Sequence, residues 1–315
     1  MTSLPQHPSE GSERERPSLV VARAAQALAA AGVEAPRAEA EQLAAHVLDV
    51  PRGRLALADG FTPAQRDRLD ALVDRRVARE PLQHLTGAAG FRHLELAVGP
   101  GVFVPRPETE LLAGWGIEQA RRWPAPLVVD LCSGSGAIAL AVAQELPSAR
   151  VVAVERSPAA LDWLRRNAAE RAAAGDRPVE VVAADVTDPE LLADLVGRVD
   201  VLLCNPPYVP RSVVVSPEVA GHDPDEAVFG GADGLDVIRP VVGRAAALLR
   251  PGGVLGVEHD DTHATAVPAL LAADGRYERV EEHRDLVGRP RYATASRRAD
   301  GQHADPGPAW QTGSS

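Results

Sequence analysis

Between residues 127 and 258 short apolar runs alternate with amphipathic stretches, and few architectures accept that alternation. Residues 127–132, 150–155, 179–185, 199–204 and 254–258 have the composition of buried strands. Helical stretches fall between them, at 137–146, 158–173, 189–196 and 235–249. Repeated strand–helix–strand units with right-handed crossovers predict a doubly wound, Rossmann-like α/β sheet. Residues 278–286 and 291–296 are expected to close it as an antiparallel pair.

The sequence before this region has a different character. Helices are expected over 18–31 and 37–48, the second with Pro36 as its first residue. A third opens at Thr62-Pro63-Ala64-Gln65, which has the pattern of a capping box, with Leu69, Leu72, Val73 and Val77 on its core face. Residues 18–80 therefore predict a small helical domain. Phe91, Leu94, Leu96, Val98 and Val102 around Gly99-Pro100-Gly101 predict a linking β-hairpin within 81–107. The α/β domain then spans 108–298, opening with a helix that runs to Trp123, while 1–17 and 299–315 have the composition of disordered ends.

Bulk properties exclude several classes of function. The chain of 315 residues has 45% hydrophobic content and no apolar run near the ~20 residues of a membrane span. Its polar N-terminus has no secretory signal, so the expected location is the cytoplasm. A net charge of −11 argues against broad nucleic-acid binding. Every basic residue except the histidines is an arginine, which fits a GC-rich genome. Cys132 and Cys204, both expected in buried strands, form no metal or disulfide pattern, and His84, His222 and His259 are expected to be structural or surface residues.

The chemistry gathers at the carboxyl ends of the expected strands. The first ends in Asp130-Leu131-Cys132-Ser133-Gly134-Ser135-Gly136, a glycine turn that brings a helix N-terminus to a ligand. That turn also fits a dinucleotide fingerprint, so a nicotinamide enzyme stays open at this point. Glu155, at the next tip, can take both hydroxyls of a ribose, and Asp185, at the third, can accept from an adenine amino group. The fourth run ends in Asn205-Pro206-Pro207-Tyr208, an acceptor-rich pocket without backbone N–H groups at either proline. It suits a planar –NH2 group.

These motifs resemble S-adenosylmethionine-dependent methyltransferases that modify planar nitrogens, and most closely the release factor glutamine methyltransferases. The resemblance covers residues 80–297 and includes Glu80-Pro81-Leu82-Gln83-His84-Leu85-Thr86-Gly87 and Phe103-Val104-Pro105-Arg106-Pro107-Glu108-Thr109-Glu110. It continues in Gly231-Ala232-Asp233-Gly234-Leu235, Glu258-His259 and Arg284-Asp285-Leu286-Val287-Gly288-Arg289-Pro290-Arg291. It implies a helical N-terminal domain, a hairpin and a class I methyltransferase domain. It also implies methylation of the side-chain nitrogen of the glutamine in the Gly-Gly-Gln motif of peptide chain release factors.

By the same resemblance Asp130, Cys132, Ser133, Gly134, Ser135, Gly136, Glu155, Asp185, Val186 and Asn205 belong to the cofactor site. Asn205, Pro206, Pro207 and Tyr208 form the catalytic tetrad that holds the glutamine. Phe103, Arg106 and Glu108 are candidates for the substrate mouth and equally for interdomain packing. The helical domain is the expected docking element. Two departures stand out: Cys132-Ser133 where Gly-Thr is common, and Val186 where some relatives place an aromatic beside the adenine. An N6-adenine methyltransferase of DNA or RNA is the alternative, but it calls for a basic groove and a target-reading domain.

Overall fold

The structure is a computed structural model that describes residues 14–299. The expected disorder of 1–13 and of 300–315 lies outside the described residues. The chain divides into two compact units, one running to Ala88 and including Ser216–His222, the other comprising Ala89–Val215 and everything from Asp223 onward.

The first unit contains α1 (Pro17–Ala30), α2 (Pro36–Leu48), α3 (Pro63–Val77) and α4 (Leu82–Thr86). Proline begins each of the first three, where its missing N–H costs nothing. The capping box at α3 is complete: Gln65 N–H donates to the Thr62 hydroxyl (3.3 Å) and Thr62 N–H to the Gln65 side chain (2.9 Å). Val20, Leu28, Leu43, Val47, Phe61, Leu69 and Val73 form one apolar core.

Two expectations change here. Residues 14–17 are ordered, because Glu15 exchanges backbone hydrogen bonds with Phe61 and its carboxylate takes Arg23 and Arg66. Val77 is 38% exposed, and its neighbour Arg76 faces inward instead. Arg76 Nε donates to Glu39 at 2.6 Å, and Glu218, in the returning segment, accepts from Arg76 (3.0 Å) and pairs with Arg79 (2.6 Å).

The second unit opens with β1 (Ala88–Phe91) and β2 (Leu94–Ala97), which form the hairpin. Its turn lies at Arg92, whose φ of 53° is left-handed, and not at Gly99-Pro100-Gly101 as the sequence suggests. The latter turn instead lies beneath Trp163, whose indole N–H donates to the Pro100 carbonyl at 3.2 Å. There follow α5 (Thr109–Ala120), β3 (Leu127–Leu131), α6 (Ala137–Glu145), β4 (Arg150–Glu155), α7 (Pro158–Ala173), β5 (Glu180–Ala183) and β6 (Val199–Cys204). Then α8 (Pro217–His222), part of the first unit, precedes α9 (Asp225–Val228), α10 (Ile238–Leu248), β7 (Leu249–Glu258), α11 (Ala266–Asp274), β8 (Tyr277–Arg284) and β9 (Pro290–Arg297).

Seven strands form one sheet in the order β5-β4-β3-β6-β7-β9-β8, parallel except for the pairs that β9 makes. This is the doubly wound sheet with a closing antiparallel pair that the sequence predicts. Apolar clusters cover both faces, so β6 is buried along its whole length. The order reverses between β3 and β6, and Leu131 lies opposite Cys204 there. The turn after β3 and the loop after β6 thus emerge side by side, at the place where open α/β sheets bind ligands.

The helix expected over 189–196 is reduced to a short 3-10 turn at Ala193–Leu195, since Leu192 (φ 51°) breaks it. Conversely, α11 forms at a stretch for which no helix is expected.

Arg76 and Glu39 are both mostly buried, so removing one partner strands a charge. Arg76→Met should lower the unfolding free energy by about 3–5 kcal/mol. Val77→Ala, at the exposed neighbour, should change it by less than about 0.5 kcal/mol. Thermal and urea unfolding of the two variants side by side check both values.

Candidate active site

At the tip of β3 the Asp130 side chain is 1% exposed. Its Oδ2 accepts the Ala139 N–H at 3.2 Å and so caps the first turn of α6 from outside the helix, while Oδ1 is buried without a partner. Burial pushes its pKa up to about 7, against the pull of the Ser133 and Ala139 donors. Cys132 lies past the strand and not within it. It takes a left-handed φ of 59°, the conformation needed to start the turn. Cys204, at the end of β6, is buried and interacts with the Cys132 thiol; burial drives its own pKa well up. Gly134 and Gly136 follow with φ of 56° and 91°, and a Cβ on Gly134 would meet no atom of the protein.

Glu155, at the tip of β4, holds this turn. Its Oε2 accepts the Gly134 N–H at 2.9 Å, and Oε1 accepts from Arg156 N and Ser157 N at 2.8 Å each. Asp185 follows β5 and accepts from Thr187 (2.8 Å to N) and from Arg156 (3.1 Å), which hold its carboxyl below the usual range. An open groove of about 630 Å³ runs here, lined by Arg156, Ser157, Leu161, Ala184, Asp185 and Glu226. Val186, by contrast, is 6% exposed and packs into the core with Leu191 and Leu195 rather than lining the groove.

After β6 the chain runs through Asn205, the buried Pro206 and Pro207, and Tyr208. The Asn205 Nδ2 group donates to the Thr109 hydroxyl at the start of α5, at 3.0 Å. That bond turns the carboxamide oxygen the other way. The Tyr208 hydroxyl donates to Glu258, at the end of β7, at 3.0 Å. The loop that covers the tetrad must be glycine. A Cβ on Gly230 would come within 2.5 Å of the Pro207 carbonyl, and one on Gly234 within 2.3 Å of the Tyr208 carbonyl. The Gly230 N–H donates to the Val209 carbonyl and clamps the two segments together. Phe103 stacks beneath the Arg106 guanidinium (4.7 Å to the ring centre), and Arg106 pairs with Asp223 at 2.8 Å.

Comparison with known proteins agrees with this arrangement. Residues 20–87 match the family model "PrmC N-terminal domain" and residues 117–220 match "Methyltransferase small domain". The chain is 53% identical to a release factor glutamine methyltransferase of Mycolicibacterium smegmatis over 86% of its length and 94% of the relative's. It is 49% identical to proteins of the same name from Mycobacterium tuberculosis, covering 87% and 89% of the two chains, and from Streptomyces coelicolor, covering 87% and 96%.

The chain belongs to the release factor glutamine methyltransferase family.

It is accordingly an S-adenosylmethionine-dependent enzyme with the class I methyltransferase sheet. The residues present fit that cofactor. The Glu155 carboxylate offers negative charge to a cationic ligand, the unpartnered Asp130 Oδ1 offers a polar atom without a protein partner, and the open backbone at Gly134 offers close approach. The groove beside Asp185 has the size of an adenosine-class ligand.

Several residues that hold the candidate site together escape sequence reasoning. Asn167, buried on α7, accepts from Ala97 N (2.8 Å) and donates to the Ser135 carbonyl (2.9 Å), tying the glycine turn to β2. Thr109 has no local motif, and its role appears only through a contact 96 residues away. Among the described residues His84 is largely buried, and His259 is fully buried and bonded to Glu282 at 2.9 Å.

The buried Asp130 sets a pH dependence. Folded, it keeps its proton up to about pH 7; unfolded, it releases it near pH 4. Unfolding therefore sheds a proton between those values, and the native side chain costs stability increasingly as pH rises through that window. Asp130→Asn, neutral throughout, should gain in melting temperature relative to the parent from pH 5 to pH 8, measured without cofactor.

Proposed function

We propose that this chain transfers the methyl group of S-adenosylmethionine to the side-chain amide nitrogen of the glutamine in the Gly-Gly-Gln motif of a peptide chain release factor. The observation that supports this most is the orientation of Asn205. With Nδ2 committed to Thr109, its Oδ1 is left to accept, and among the described residues no group donates to it.

An amide nitrogen is a poor nucleophile because its lone pair is delocalised. Asn205 Oδ1 and the Pro206 carbonyl accept its two hydrogens and favour the positive charge that develops on it during attack. Pro206 and Pro207 have no N–H groups to compete for that site. Tyr208 packs beside the flat amide and is anchored by its hydroxyl on Glu258. When bound, S-adenosylmethionine supplies an electrophilic methyl group. The chain's own share is to hold the nitrogen in line, which is worth on the order of 7–11 kcal/mol of effective proximity. No strong base is required, since the nitrogen becomes acidic as the bond forms.

The division of labour proposed is docking of the release factor by residues 18–80, a hairpin linker over 81–107, and chemistry over 108–298. In the cofactor site Cys132, Ser133, Gly134, Ser135, Gly136 and Glu155 hold the ligand, with Asp185 toward the adenine. Phe103 and Arg106 belong to the substrate mouth. A cytoplasmic location beside the translation machinery follows. No helix among the described residues is long and apolar enough to cross a membrane.

With labelled S-adenosylmethionine, a release factor carrying Gly-Gly-Gln should take up label, and duplex DNA should not. Asn205→Ala should lower kcat by about 10²–10³-fold. A Gln→Glu release factor, which sets carboxylate oxygens against acceptors, should be rejected by about 10⁴-fold. Label on the DNA and none on the protein would move the activity to adenine.

A further inference from the structure

The sequence from Arg284 to Arg291 takes no part in the chemistry described so far. It forms the hairpin that joins β8 to β9, at the carboxyl rim of the parallel strands. Strand register fixes its place. Tyr292 on β9 pairs with Glu258, the last residue of β7, and the Arg291 carbonyl accepts the His259 N–H at 2.9 Å. Glu258 is also the group that accepts the Tyr208 hydroxyl. The hairpin therefore continues past the point at which Tyr208 is anchored. At ~3.4 Å per residue its tip stands on the order of 10 Å beyond Glu258.

The turn is held more firmly than chain reversal requires. Two residues suffice to close a hairpin, whereas residues 285–289 are used here. The Asp285 side chain, 5% exposed, organises them. Its Oδ1 accepts the Val287 N–H (3.0 Å) and the Arg289 N–H (2.9 Å), and its Oδ2 accepts from Arg291 (3.2 Å). The Asp285 N–H donates to the Arg289 carbonyl at 2.8 Å, and the Gly288 N–H to the Asp285 carbonyl at 3.0 Å. Arg284 adds a bond from Nη1 to the Gly288 carbonyl at 2.7 Å.

What this frame displays is apolar. Leu286 is 92% exposed and Val287 76%. Eight large apolar side chains are exposed among the described residues, and four lie on two loops that leave this rim. The other two of the four are Val213 and Val214, on the loop that follows the tetrad. Contiguous exposed apolar groups mark interaction sites, and a pair on a rigid frame loses little conformational entropy when covered. A protein that delivers a glutamine to Asn205 and Tyr208 has to arrive across the same rim. Charge narrows its chemistry further. In a chain of net charge −11, this short motif holds Arg284, Arg289 and Arg291 against the single acid Asp285. The surface it suits is an apolar spot bordered by carboxylates.

We infer that the β8–β9 tip is a docking point for the release factor, with Leu286 and Val287 covered by an apolar, acid-bordered patch beside the substrate glutamine. The inference rests on the proposed delivery of a release factor glutamine to the tetrad. It adds a contact on the methyltransferase unit to the docking proposed for residues 18–80.

The double variant Leu286→Ser with Val287→Ser should raise the KM for a release factor carrying Gly-Gly-Gln by about 10–100-fold. Its kcat and its Kd for S-adenosylmethionine should stay within about twofold of the parent's, and its melting temperature should not move, since both side chains are on the surface. Val196→Ser removes an exposed valine before the amino end of β6, at the opposite rim, and should change none of these. Arg289→Ser should raise KM about threefold at low ionic strength and hardly at all in about 0.5 M salt. Binding is read apart from transfer, by calorimetry of enzyme and release factor, and the Kd of the double variant should rise by the same factor as its KM.

An unchanged KM and Kd in the double variant would overturn the inference. So would a fall in kcat at parental KM. A parent that sediments as a dimer beside a monomeric double variant would also overturn it, because a second copy of this chain would then be what covers the tip. The expected loss of binding with no label on any glutamine would uphold the tip and sink the proposed chemistry. Labelled glutamine at parental KM and Kd would do the reverse.

Discussion

The pairing of β3 with β6, with Leu131 opposite Cys204, is the constraint on which the site depends. It reverses the strand order at the centre of the sheet and sets the glycine turn beside the Asn-Pro-Pro-Tyr loop. Neither loop needs to travel to find the other. Because both strands are buried on both faces, a register slip would expose or overpack an entire apolar row, so this adjacency is held by the core itself. The two loops inherit their spacing from strand geometry.

On that frame three buried acids carry three separate tasks. Glu155 takes backbone N–H groups from the glycine turn and from the start of α7. Asp130 caps α6 and keeps one oxygen unpaired. Glu258 accepts the Tyr208 hydroxyl behind the tetrad. The first is well supplied with donors; the other two are short of them, and desolvation raises both their pKa values to about 7. Sheet tips that leave a carboxyl under-satisfied are costly to fold, because the buried acid keeps its desolvation penalty without donors to offset it.

Much of this was legible in the sequence, because its signals are local. Alternating apolar runs gave the sheet, the capping box gave α3, and the glycines, Glu155 and Asn205 marked the strand tips. What was not legible depends on contacts between distant residues. Thr109 looks like an ordinary first residue of a helix, and Val186 looks available to the adenine until the core is seen to claim it. The hairpin turn was misplaced because Arg92 adopts a left-handed conformation without glycine, while the obvious Gly-Pro-Gly turn served Trp163. Arg76 replaced Val77 in the core because two glutamates, one of them 142 residues away, were there to receive it.

That last contact bears on how the chain is partitioned. The segment Ser216–His222 lies within the sequence of the methyltransferase unit yet belongs to the helical one, so the backbone passes between the two units three times. The helical unit is therefore not a detachable cassette. A hybrid that exchanged only the residues up to Ala88 would inherit Arg76 and Arg79 without the Glu218 that pairs with both. Any transplant of the N-terminal unit has to carry a second, discontinuous piece of sequence with it, Ser216–His222, taken from the stretch that follows Asn205-Pro206-Pro207-Tyr208.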